Sequence, residues 1–211
     1  MKTKNVKKIA VIGKMGSGKS HICNIMEKEY NIPVFYTDNE ARMLINNNEE
    51  VKKRLKHYFG NSIYNSVERI IPHRFADILF NDKKNLDINN SIIAPRIICR
   101  FYEWMNVIHE SPETVVKHVV FECSNLLDTD FYKLFDHIIL ITAPTEIRKR
   151  RVVQKRDIAP EDFDARDKMQ MDFAEMEKVI AGKIPHTVFC NDGFDDINKM
   201  IKSTIFNEYG T

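Results

Sequence analysis

Residues 13–20 read GKMGSGKS, which fits the pattern G-x-x-x-x-G-K-[ST] of a phosphate-binding loop. Glycines let successive backbone N–H groups turn toward an anion, a conformation that ordinary side chains disfavour. The pattern predicts that Lys19 reaches the β- and γ-phosphates of a nucleotide and that the Ser20 hydroxyl holds Mg²⁺. A chain with this loop must place it between a strand and a helix.

The residues on both sides of the loop predict that strand and that helix. Before the loop, residues 9–12 form a short apolar run typical of a buried parallel strand. After it, Ile22, Met26 and Tyr30 recur at helical spacing. The order of strand, glycine loop and helix therefore predicts a binding site for a nucleoside triphosphate.

Four further apolar runs predict the remaining strands of a parallel sheet. They are residues 32–36, 115–123, 137–142 and 187–190. Residues 46–112 instead carry helical patterns, and in the stretch 92–108 Pro95 suits either the first helical turn or a kink. The sequence thus predicts an α/β core at about 1–45 and 113–211, with a helical insertion at about 46–112.

Two acidic residues end predicted strands, where ligands of open α/β sheets bind. Asp38 follows the second strand and is either a catalytic carboxylate or the cap of the next helix. Glu122 ends the third strand and is either an acceptor for Mg²⁺-bound water or a solvated strand end. The local sequence leaves both choices open.

A basic run follows the fourth strand, since six of the ten residues at 148–157 are cationic. Such a run is commonly a solvated helix face or a nucleic-acid patch. Arginines also make bidentate contacts to phosphoryl oxygens that gain charge during transfer. The acidic helical stretch at 161–177 would then carry these arginines on a movable lid, predicted at about 145–185.

Composition limits the remaining choices. The 211 residues carry a formal net charge of only +2, which argues against a general nucleic-acid partner. The four scattered cysteines form no C-x-x-C pair and predict reduced thiols in a cytoplasmic protein. The start of the chain predicts no signal peptide, and no apolar run is long enough to span a membrane.

Taken in order, the motifs resemble those of the dephospho-coenzyme A kinase family over nearly the whole chain. The matching pieces are the loop at 13–20, P-V-x-x-x-D-x-x-x-R at 33–42, F-G at 59–60, A-P at 143–144, R-x-x-Q-x-R-D at 151–157 and N-D-G at 191–193. The resemblance implies a P-loop NTPase fold, with a five-stranded parallel sheet flanked by helices, a helical acceptor-binding insertion and a helical lid. It also implies ATP-dependent phosphorylation of the ribose 3′-hydroxyl of dephospho-coenzyme A, which gives coenzyme A and ADP.

The resemblance implies roles for individual residues. Asp38 would take the proton from the acceptor hydroxyl, and Arg42 would help to bind the acceptor. Arg151 and Arg156 would act on the transferred phosphate from the lid. Asn191 and Gly193 would border the adenine. The full set of residues expected to bind ATP is Gly13, Met15, Gly16, Ser17, Gly18, Lys19, Ser20, His21, Asn191 and Gly193. Ser20 and Glu122 are the expected Mg²⁺ ligands.

Two other functions fit the same motifs. A nucleoside or deoxynucleoside monophosphate kinase shares the loop, the lid and an inserted acceptor domain. A non-catalytic nucleotide-binding regulator is the other alternative, and it rests on departures from the family's usual motifs, such as A-P at 94–95 and E-C-S at 122–124. For the leading function, with dephospho-coenzyme A as the small-molecule substrate, we expect a monomer or weak homo-oligomer with no nucleic-acid or membrane partner.

Overall fold

The computed structural model describes residues 6–110, 116–156, 159–193 and 196–206, and of Arg156 it describes only the backbone. Five strands form one sheet in the order β2-β3-β1-β4-β5. The strands are β1 (Lys7–Ile12), β2 (Val34–Tyr36), β3 (His118–Glu122), β4 (His137–Thr142) and β5 (His186–Cys190). Strand β1 pairs in parallel with β3 and β4, and β4 pairs in parallel with β5. The predicted five-stranded parallel sheet is confirmed.

Helices connect these strands. They are α1 (Lys19–Tyr30), α2 (Thr37–Asn47), α3 (Glu49–Phe59), α4 (Pro72–Asn81), α5 (Lys83–Glu110), α6 (Thr145–Arg156), α7 (Pro160–Met169), α8 (Phe173–Ile180) and α9 (Ile197–Ile201), which continues into a π-helical turn at Lys202–Phe206. Short 3₁₀ helices lie at Asn61–Ile63, Leu126–Asp128 and Asp130–Leu134. The chain divides into two compact units, Met1–Phe35 with Glu113–Thr211, and Tyr36–Pro112.

The first unit holds the sheet, and its central strands are apolar at consecutive positions. Val11 on β1 and Ile139 on β4 are partners in register, and both are completely buried. A parallel strand with both faces covered needs apolar residues on each face, which explains the continuous runs in the sequence. Because β1 lies between β3 and β4, the loop after β1 leaves at the point where the strand order reverses. Ligands of open α/β sheets bind at such a point.

The second unit is helical. Helix α5 runs from Lys83 to Glu110 and packs against α2, α3 and α4. It begins before the predicted stretch, and Pro95 lies inside it, so of the two alternatives for Pro95 the position in the first helical turn is wrong. An internal proline costs about 3 kcal/mol because a backbone hydrogen bond is lost. Burial of Ile93, Ile97 and Phe101 along the same helix offsets that cost.

Two strands are shorter than predicted. Strand β2 begins at Val34, after Pro33, whose carbonyl accepts a hydrogen bond from the Val120 amide at 2.9 Å. Strand β3 begins at His118, and residue 115, the predicted start, lies outside the described residues.

Among the described residues, no helix combines the length and the apolar character needed to cross a membrane.

Candidate functional site

The phosphate-binding loop joins β1 to α1, and two of its positions require glycine. Gly13 has φ +145°, and a Cβ there would lie 2.2 Å from the carbonyl oxygen of Ile141. Gly18 has φ +98°, and a Cβ there would lie 2.1 Å from the side-chain amide nitrogen of Asn191. Both the backbone conformation and the close packing therefore exclude larger residues at these positions.

The two polar residues at the start of α1 lie where the motif predicts them. The buried Lys19 donates a hydrogen bond from Nζ to the Lys14 carbonyl at 3.3 Å, so its ammonium group lies against the loop. Ser20 Oγ donates to Glu122 Oε1 at 3.4 Å. These contacts place a cation, a hydroxyl and a carboxylate beside the same loop.

Glu122 is only 5% exposed at the end of β3, so the interpretation as a solvated strand end is wrong. The reason is its position on an interior strand of the sheet. A hydroxyl and a carboxylate oxygen are ligands that Mg²⁺ accepts, and this ion commonly takes one or two carboxylates together with phosphates and water. In the described parts of the chain no cluster of three or more His, Cys, Asp or Glu side chains could hold a metal ion. The hydroxyl of Ser20 and the carboxylate of Glu122 are thus two oxygen ligands that fit a Mg²⁺ ion whose other ligands come from phosphates and water.

Asn191, directly after β5, braces the loop. Its buried side-chain amide donates to the Ser17 carbonyl at 2.8 Å, and its backbone amide donates to the Thr142 carbonyl at 2.8 Å. Its own carbonyl accepts a hydrogen bond from Arg151 Nη1 at 2.9 Å. Asn191 thus joins the loop, the end of β4 and helix α6. The predicted contacts of Asn191 and Gly193 with adenine stay predictions.

Arg148 shows that the basic run is not simply a solvated face, because its side chain is only 2% exposed. Its guanidinium makes two hydrogen bonds to the Asp167 carboxylate, Nη1 to Oδ1 at 2.5 Å and Nη2 to Oδ2 at 3.2 Å. It also lies over the rings of Phe163 and Phe173, with Cζ 5.6 and 5.3 Å from the two ring centroids. Such a buried, bidentate and stacked position suits arginine and not lysine.

Two further contacts join the loop to α7 and to the residue that follows it. They involve Lys14 and Gln170, which the sequence did not single out. Lys14 Nζ lies 3.1 Å from Asp167 Oδ2, and Gln170 Oε1 accepts a hydrogen bond from the Met15 amide at 2.8 Å. Burial by itself would raise the pKa of the Asp167 carboxyl, but the hydrogen bonds from Arg148 and Lys14 outweigh it and lower that pKa. Asp167 is therefore held as a carboxylate.

Asp38 and Arg42 belong to the second unit. Helix α2 has Tyr36 at its N-cap, so Asp38 lies within the first turn and the interpretation as the helix cap is wrong. Asp38 is exposed, and among the described residues its carboxylate makes no hydrogen bond or ion pair. Arg42 follows four residues later, on the same face of the helix.

For the remaining predicted site residues, the structure gives a location but no contact that bears on their predicted role. Met15 and Gly16 lie in the loop, and His21 is exposed beside Ser20. The side chain of Arg156 and all of Asp157 lie outside the described residues. The predicted residues that the structure brings together are therefore those of the loop with Glu122, Arg151 and Asn191.

Comparison with known proteins gives a consistent result. A sequence profile of the family described as Dephospho-CoA kinase matches residues 8–192. The Dephospho-CoA kinase of Prochlorococcus marinus is 26% identical over 203 residues, covering 94% of this chain and 93% of that protein. That of Aquifex aeolicus is 25% identical over 201 residues, covering 92% and 96%.

Solved structures share the fold. TT1252 from Thermus thermophilus aligns with a TM-score of 0.74 and 25% sequence identity, covering 99% of this chain and 100% of that one. Dephospho-CoA kinase from Campylobacter jejuni aligns with a TM-score of 0.58 and 20% identity, covering 93% and 96%. At that identity, the second likeness is evidence of the fold alone.

Proposed function

The chain belongs to the dephospho-CoA kinase family, and on that premise we propose that it transfers the γ-phosphoryl group of ATP to the ribose 3′-hydroxyl of dephospho-coenzyme A. The products are coenzyme A and ADP. The observation that carries the proposal is the convergence of Lys19, the Ser20–Glu122 pair and Arg151 on one phosphate-binding loop. Phosphoryl transfer depends mainly on positioning and on neutralising charge, and these residues supply both.

The first unit would hold the phosphoryl donor. The loop amides bind the phosphates, and Lys19 neutralises charge on the β- and γ-phosphates. Ser20 and Glu122 would hold Mg²⁺, which neutralises further charge on the phosphate oxygens. Arg151, already beside the loop, would contact the transferred group from the lid, which comprises α6 to α8 at about 145–185. Arg156 would do the same from the end of α6.

The second unit, with the predicted insertion at about 46–112, would bind the acceptor. The acceptor oxygen forms a bond to the γ-phosphorus, the bond from that phosphorus to ADP breaks, and the hydroxyl proton passes to the Asp38 carboxylate. The exposed carboxylate of Asp38 has no partner among the described residues, which suits a proton acceptor. Arg42, on the same helix face, would bind an anionic part of the acceptor.

An acceptor panel tests the function. ADP release is measured with ATP, Mg²⁺ and, in separate reactions, dephospho-coenzyme A, AMP, dAMP, deoxyadenosine or no acceptor. We expect turnover with dephospho-coenzyme A and a product phosphorylated at the 3′ position. Turnover confined to the monophosphates would indicate a monophosphate kinase. ATP binding without turnover of any acceptor would favour a regulator.

Replacing Arg151 with alanine is expected to lower kcat about tenfold, the effect of one hydrogen bond to a charged group worth about 1.5 kcal/mol. ATP binding should change less, because a lid residue engages the phosphate fully only after closure. Steady-state kinetics and calorimetry on the same preparation separate the two quantities. Arg150→Ala, an exposed neighbour on α6, is the matched control and should leave both unchanged. If Arg151→Ala lowers only the thermal stability, the role of Arg151 is limited to its hydrogen bond with the Asn191 carbonyl.

The predicted cytoplasmic location and the monomeric or weakly oligomeric state belong to the same proposal. Gel filtration coupled to light scattering measures the second directly.

A further inference from the structure

The outer part of the phosphate-binding loop is held by side chains from another segment of the first unit. We call residues 13–16 the loop arch. Arg148 Nη1 donates to the Met15 carbonyl at 3.3 Å, and Gln170 Oε1 accepts from the Met15 amide at 2.8 Å. A Cβ on Gly16 would lie 2.6 Å from the Arg148 carbonyl oxygen, so the backbone of α6 packs directly on the arch. The arch therefore rests on α6 and on the end of α7.

Asp167 is the centre of these contacts. Its carboxylate bonds to both Arg148 and Lys14, and Lys14 is itself part of the arch with a side chain 9% exposed. Two largely buried cations thus share one carboxylate, and the three side chains of Lys14, Arg148 and Asp167 together carry a net charge of +1. Without Asp167, two neighbouring cations would repel each other in a poorly solvated position. The arch would then lose its packing against α6.

We propose that Asp167 is a positioning residue for the phosphoryl donor, which holds Lys14 and Arg148 so that the loop arch keeps its phosphate-accepting shape. Through this carboxylate, helix α7 becomes part of the nucleotide site. A loop that is already ordered binds phosphate without the entropic cost of ordering. The inference rests on the proposed function only in requiring that ATP binds at this loop.

Lys14→Met is the main test because it removes the link from the arch to α7 and keeps the buried Arg148–Asp167 pair. Its matched control is Lys149→Met, which removes the partly exposed pair between Lys149 and Asp164, an α6–α7 contact that does not involve the arch. Affinities for ATP and for inorganic tripolyphosphate are measured by calorimetry on the full chain. We expect Lys14→Met to weaken both about tenfold, the size of a coupling between contacting residues, and Lys149→Met to leave both unchanged.

Amide hydrogen exchange of the nucleotide-free protein separates positioning from direct contact with phosphate. If Lys14 positions the arch, the amides of Met15 and Gly16 exchange faster in Lys14→Met than in Lys149→Met. Weaker ATP binding with unchanged exchange would make Lys14 a direct phosphate ligand and overturn the proposal. Unchanged affinity would overturn it as well, whatever happens to the melting temperature.

Asp167→Asn adds a test of the carboxylate itself. We expect faster arch exchange and weaker tripolyphosphate binding, whereas tighter binding would show that Asp167 competes with phosphate for Lys14 and would overturn the proposal. If this variant fails to fold, the Lys14 results decide.

None of these measurements involves the acceptor, so a chain that behaves as expected and yet leaves dephospho-coenzyme A unphosphorylated would contradict the proposed function alone.

Discussion

Replacing Lys19 with methionine is expected to lower kcat for phosphoryl transfer about a thousandfold, the upper range for loss of one preorganised charge-stabilising donor. Methionine keeps most of the buried stem and removes the ammonium group. That group lies 3.3 Å from the Lys14 carbonyl, inside the loop that would surround the phosphates. The measurement is ADP release with saturating ATP and acceptor, beside a melting curve on the same sample.

Lys28→Met is the control for Lys19, because Lys28 lies on the same helix, in its last turn, and is exposed. Its loss should change stability by about 0.3–1 kcal/mol, the value of a cation near a helix C-terminus, and leave turnover unchanged. A folded Lys19→Met variant with nearly normal turnover would refute the assignment of the loop to phosphate binding.

Replacing Asp38 with asparagine is expected to lower turnover of dephospho-coenzyme A about a hundredfold or more, the range of general-base contributions. Asparagine has nearly the same shape and cannot accept the proton of the attacking hydroxyl. ATP affinity should survive, because the loop residues that would bind ATP lie in the first unit and Asp38 belongs to the second. Stability should fall by about 0.3–1 kcal/mol, because a carboxylate is lost from the first turn of α2.

Glu40→Gln is the matched control for Asp38, since it removes a second carboxylate from the same helical turn. Glu40 forms an exposed pair with Arg100 at 3.2 Å, which contributes little to stability. If Asp38 acts through the helix dipole alone, both variants should melt slightly earlier and both should keep full activity. That outcome would leave the proposed transfer without its base.

The features that the sequence predicted well are those with local signals. The loop is a contiguous motif, and the buried parallel strands are contiguous apolar runs, so β1 and β4 could be located without a structure. The family could also be recognised, because its motifs occur in order along the chain, and the profile match over residues 8–192 confirms it. The helix in which Asp38 lies was predicted too, although its first residue was not, and that error produced the wrong interpretation as a cap.

The features that escaped prediction depend on residues far apart in the chain. Arg148 lay inside a cationic run, and nothing in that run distinguishes this arginine, buried against Asp167, from the half-buried Arg151 or the exposed Arg150. Lys14 occupies a position that the loop motif leaves free, so the motif says nothing about its ion pair. The local sequence left two positions for Pro95 open, and its place inside α5 depends on the burial of apolar residues along that helix, which offsets the backbone cost.

The residues that support the loop lie far from it in the sequence, and this affects the order in which the site forms during synthesis. Residues 13–20 are synthesised before the residues that support them, because the amide that supports Ser17 belongs to a residue 174 positions later, and the partner of the Met15 amide lies 155 positions later. Contacts at such separations form only after the later residue has been synthesised. The nascent chain therefore carries the nucleotide motif without its supports until β5 joins the sheet.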